Sequence, residues 1–135
     1  MAGPSLITSR IEAGAALVRE LDARNLQPET AAWVFLVDRE RWKLILQFDA
    51  SHEKFPTLVE IAGLIADRDA ISRELSMADV SVARPTDAIV GALKALVHTG
   101  PGVSFVPLGP VSANGIYFED GLVYRARDPL IPALS

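Results

Sequence analysis

The sequence predicts an α+β domain, a mixed and mostly antiparallel sheet with helices covering one face. Three observations carry the prediction. Apolar residues recur at helical spacing in three segments. Branched and aromatic residues gather in several short runs, and turn chemistry joins some of these runs as hairpins. Helices and antiparallel hairpins in one chain define the α+β class.

The first segment, SLITSRIEAGAALVRELDARN, places Ile7, Ile11, Gly14, Val18 and Leu21 on one helical stripe. Ser5 is positioned to cap its start, and Asn25 to end it in a left-handed conformation. Gly14 costs about 1 kcal/mol of helix propensity relative to Ala. Its place on the apolar stripe points to a close approach by a partner element.

The next segment, AAWVFLVDRERWKLILQFDA, has two apolar runs around Asp38, Arg39, Glu40 and Arg41. It reads as an antiparallel hairpin. The first run is apolar on both faces and is expected deep in the sheet, with Trp33 and Phe35 in the core. In the second run Trp42, Leu44, Leu46 and Phe48 share one face. Lys43, Ile45, Gln47 and Asp49 share the other. Arg39, Arg41 and Lys43 form the densest basic group in the chain. They alternate with Asp38 and Glu40, so a near-neutral local field is expected.

DASHEKFP, residues 49–56, is expected as a loop. A second helix then begins near Thr57, where Thr57 and Glu60 have capping-box spacing. MADVSVARP reads as a short strand. TDAIVGALKALVHTGPG reads as a third helix, capped by Thr86 or Asp87, with His98 in its last turn and Gly100-Pro101 as the stop. VSFVPL is another strand, and a crossover from MADVSVARP would make these two a parallel pair. In ANGIYFEDGLVYRAR, Asp120-Gly121 suits a type I′ turn that pairs Phe118 with Val123 and Tyr117 with Tyr124. The expected order is α-β-β-α-β-α-β-β-β, in one domain over residues 1–135.

Composition limits function. Half of the residues are hydrophobic and 22% are charged, which suits a packed core without staples. No apolar run reaches the roughly 20 residues that span a bilayer, so no membrane partner is expected. MAGPSLITSR lacks the basic start and apolar run of a signal peptide, and a cytoplasmic location is expected. With no cysteine there is no disulfide, thiolate site or cysteine nucleophile. A net charge of −4 and a pI near 5.1 work against binding to nucleic acid.

The motifs carry little chemistry. There is no phosphate-loop pattern and no paired-histidine metal motif, so no cofactor and no metal site are expected. The two histidines, His52 and His98, are the candidate acid and base of a small nuclease-like hydrolase, with Glu53 beside His52 and Arg125 to stabilise an anion. Tyr117, Tyr124, Arg125 and Arg127 near the chain's end are candidates for binding a small ligand or RNA by stacking and charge. An alternating strand would put Arg125 and Arg127 on one face and Tyr124 on the other. The reading preferred over both is a non-catalytic protein-interaction module whose partner is another protein or a second copy of the chain. It rests on high apolar content, on strands apolar on both faces, and on the lack of a catalytic constellation.

Overall fold

A computed structural model describes residues 6–49 and 54–127, with residues 54–56 described by their backbone alone. It has the expected α+β architecture. The helices are α1 (Thr8–Ala23), α2 (Lys54–Asp67), the short α3 (Asp69–Ser72) and α4 (Ala88–Leu96). The strands are β1 (Thr30–Leu36), β2 (Arg41–Gln47), β3 (Val80–Ala83), β4 (Val106–Leu108), β5 (Val111–Ala113), β6 (Ile116–Phe118) and β7 (Gly121–Ala126). A five-stranded mixed sheet has the order β3-β2-β1-β7-β4, and β5 and β6 form a separate two-stranded sheet. Among the described residues no helix is long and apolar enough to cross a membrane.

The β1–β2 hairpin forms as expected, with Trp33 opposite Leu44 and Phe35 opposite Trp42. A 3-10 turn, Val37–Arg39, joins the strands, and Glu40 closes it with a φ of 49°. β1 is the central strand and is buried on both faces, as its two-sided apolarity predicted. Trp33 and Phe35 lie in the core.

Alternation along β1 and β2 divides that core in two. Trp33, Leu44 and Leu46 face α1 and α2 and pack with Leu17, Leu21 and Ile61. Ala32, Val34 and Ile45 face the other way and pack with Val90, Leu93 and Phe118. Helices therefore lie on both faces of the sheet rather than on one. α4 and the β5–β6 hairpin cover the second face, because a central strand apolar on both sides needs cover on both sides.

The connections depart from expectation in two places. The parallel pair is β2 with β3, joined through α2 and α3, not β3 with β4. β3 and β4 are the opposite edges of the sheet. The Asp120-Gly121 hairpin does not form either. β6 pairs with β5, while β7 pairs with β1 and β4. The tight turn is Asn114-Gly115, with φ values of 49° and 79°. Two successive positive φ values are what a type I′ turn demands, and Asn-Gly meets that demand at least steric cost. Gly121 instead starts β7 where a Cβ would stand 2.9 Å from the Trp33 carbonyl oxygen.

Helix limits also shift. α2 begins at Lys54, so the last three residues of DASHEKFP are helical, and Pro56 sits in the first turn, where its missing N–H has no partner to lose. α4 ends at Leu96, which leaves His98 beyond the helix. Asp87 precedes α4, but its carboxylate accepts from the Arg84 amide at 2.9 Å. Asn25 has the left-handed φ of 60° expected after α1. Ser5 lies outside the described residues.

Candidate functional site

β7 is bulged. Arg125 sits opposite Ala31 and Val123 opposite Ala32, so Tyr124 is an extra residue between them. The bulge cancels one alternation and turns both Tyr124 and Arg125 toward α1, whereas strict alternation would have separated them. The Tyr124 hydroxyl accepts from Trp33 Nε1 at 2.9 Å and donates to the Ile11 carbonyl of α1. This contact requires Gly14. A Cβ there would lie 2.5 Å from Tyr124 Oη and 2.7 Å from Trp33 Nε1. Burial raises the Tyr124 pKa well above the usual phenol value, and hydrogen bonds offset only part of that rise.

Arg125 is fully buried. It makes a two-pronged pair with Asp22 of α1, at 3.0 Å from Nη1 and 2.7 Å from Nη2. Nη1 also donates to the Pro28 carbonyl at 2.9 Å, and Nε to the Gly102 carbonyl at 3.3 Å. These bonds tie α1, the following loop and the loop before β4 to the sheet. Tyr124 and Arg125 are thus joined in one internal contact and do not form an open strand face.

The other sequence candidates are dispersed. Arg127 is half-buried beside Glu29 and Gln27; its amide donates to the Glu29 carbonyl at 3.0 Å. His98 is exposed. Tyr117 is 55% exposed on β6. His52 and Glu53 lie outside the described residues. Among the described residues no three His, Asp or Glu side chains gather as metal ligands.

Two features stand out in the geometry. The first is a buried polar group at one end of the sheet. Gln47 donates from Nε2 to Glu29 Oε1 at 2.8 Å and accepts from Thr30 Oγ1 at 2.9 Å. The ammonium of Lys94 on α4 stands 3.8 Å from the same Glu29 oxygen. Every charge in this group has an opposite or polar neighbour, so it anchors α4 to the strand ends.

The second feature is a groove of about 660 Å³ at the opposite end, on the second face. Val34, Leu36 and Ile45 form its apolar floor, and Ser81 of β3 and Ile89 of α4 contribute to its lining. The Val37–Arg39 turn forms one wall and the β5–β6 hairpin another, through Ile116, Tyr117 and Phe118. Val37, like Tyr117, is a large apolar side chain left exposed there, at 46%.

Cations crowd the β2 side of this groove. Lys43 lies directly opposite Val34 and two residues from Ile45, on the same strand face. Its ammonium donates to the Ala78 carbonyl at 2.5 Å. Its pKa is lowered, first by partial burial and then by Arg41 and Arg39, against a smaller opposing effect of Asp79. Asp79 is shared by Arg10 at 3.2 Å and Arg41 at 3.4 Å. Arg39 has no ion pair among the described residues. The near-neutral field expected from charge alternation does not hold at Lys43, because Asp79 is already committed to two arginines.

Comparison with protein-family models, with curated proteins and with solved structures finds no match to this chain. The groove was legible in the sequence only in part. Asn114-Gly115 is a strong hairpin signal, and it would have placed Ile116–Phe118 beside α4 had it been preferred to Asp120-Gly121. The convergence of that hairpin with the Val37–Arg39 turn is non-local and has no sequence pattern.

Proposed function

We propose that the chain is a non-catalytic interaction module that makes its contact through the groove on the second sheet face. The observation that carries this reading is an apolar recess of about 660 Å³ with Val37 and Tyr117 exposed on its walls. Exposed apolar side chains grouped around a recess mark contact surfaces on soluble domains. The alternative binding face near Tyr124 and Arg125 receives no such support, because both side chains are spent on α1 and its loops.

The test uses amide-resolved NMR spectra, first over rising protein concentration and then with decanol as an apolar probe. A second copy of the chain is the first partner tested. The expected result is a shift of the amides of residues 36–39 and 115–118 in at least one series, lost in the double substitution Val37→Asp and Tyr117→Asp. No response at these amides in either series would refute the proposal.

A further inference from the structure

Within the reading of this groove as a contact surface, the lining argues for a particular class of ligand. The floor is apolar, the volume lies in the roughly 300–1,000 Å³ range of small-molecule sites, and one side is cationic. Arg39 lines the groove without an ion pair among the described residues, and Arg41 is tied to Asp79 and the Ala78 carbonyl. Lys43 uses one of its three donors, on a neutral carbonyl. Asp38 is the acidic residue of the lining, and it stands on the turn beside Arg39.

We propose that the groove binds an amphipathic monoanion, with its apolar part over Val34, Ile45 and Ile116 and its carboxylate between Arg39 and Lys43. An anion placed there relieves the mutual repulsion of Arg39, Arg41 and Lys43, which a neutral ligand of the same shape does not. The carboxylate accepts charge-assisted hydrogen bonds from a guanidinium and an ammonium at the edge of an apolar floor, where screening by water is reduced. Ser81 supplies a hydroxyl within the same lining.

The experiment titrates the whole chain with decanoate, decanol and decyltrimethylammonium, each below micelle formation, and follows amide shifts. Decanoate is expected to move the amides of residues 36–39 and 115–118 and to bind about tenfold more tightly than decanol. The paired substitution Arg39→Gln and Lys43→Gln is expected to erase that preference while leaving decanol binding unchanged, and high salt to reduce it. A well-dispersed spectrum of the variant confirms that it is folded. Decanol binding as tightly as decanoate, equal binding of decyltrimethylammonium, or shifts confined to other residues would overturn the assignment. So would binding to phosphatidylglycerol vesicles without a response to monomeric decanoate. A groove response to decanol without a preference for decanoate overturns the anion assignment alone, whereas silence toward every probe and toward concentration removes the contact-surface reading as well.

Discussion

Tyr124 and Arg125 are adjacent residues whose roles are set by one bulge. Without it, one would face α1 and the other the second core. With it, the phenol seals against Gly14 and the guanidinium meets Asp22. The buried phenol also makes stability depend on alkaline pH. Its pKa is raised in the folded state, so above the ordinary phenol value, about 10, the unfolded chain loses this proton first. The stability contributed by the neutral phenol is complete below that pH and is lost as pH rises beyond it. Urea unfolding measured from pH 8 to 11 is therefore expected to show falling stability above about pH 10. Tyr124→Phe should reduce that slope, at a cost of about 1 kcal/mol at neutral pH for the lost hydrogen bonds. An unchanged slope in the variant would show that other groups produce it.

At the scale of elements, the β5–β6 hairpin is the piece that converts a sheet face into a groove. Its pairing runs from Val111 opposite Phe118 to Ala113 opposite Ile116. A two-stranded unit this short depends on its turn and on contacts with α4, and Phe118 provides an anchor in the second core. Gly115, at φ 79°, has open space where a Cβ would stand, so alanine there suffers backbone strain without a clash. Gly115→Ala is expected to cost about 1 kcal/mol. The loss should be local. Hydrogen exchange should quicken at residues 111–118 while the amides of β1 and β2 keep their protection, and binding of the decanol probe should weaken. Uniform loss of protection across β1 and β2 would mean that the hairpin is integral to the main sheet.

At the scale of the molecule, β1 joins two cores that no side chain fills alone. The first contains Trp33 and Trp42, and the second contains α4 and the groove floor. Because the cores share a strand, they are expected to unfold together. Leu93 is fully buried in the second core. Leu93→Ala should cost roughly 2–5 kcal/mol. The loss should appear equally in tryptophan fluorescence, which reports the first core, and in far-UV circular dichroism. A fluorescence midpoint left at its original denaturant concentration would separate the cores into independent units.

The α+β class, the central place of β1, the core role of Trp33 and Phe35, and the close approach at Gly14 were all present in local patterns. Each depends on side chains only a few residues apart, or on an apolar run with no wet face, and periodicity reports both directly. The tertiary structure decided the rest. A parallel crossover through α2 and α3 and the choice of Asn114-Gly115 over Asp120-Gly121 both compare alternatives that look similar locally. The turn of Arg125 into the interior comes from a bulge, which shifts alternation by one residue without a distinct composition. The unbalanced charge at Lys43 arises because Arg10, far away in sequence, shares Asp79 with Arg41. Such outcomes are set by burial and by competition for partners across the fold, quantities that exist only once the chain has closed on itself.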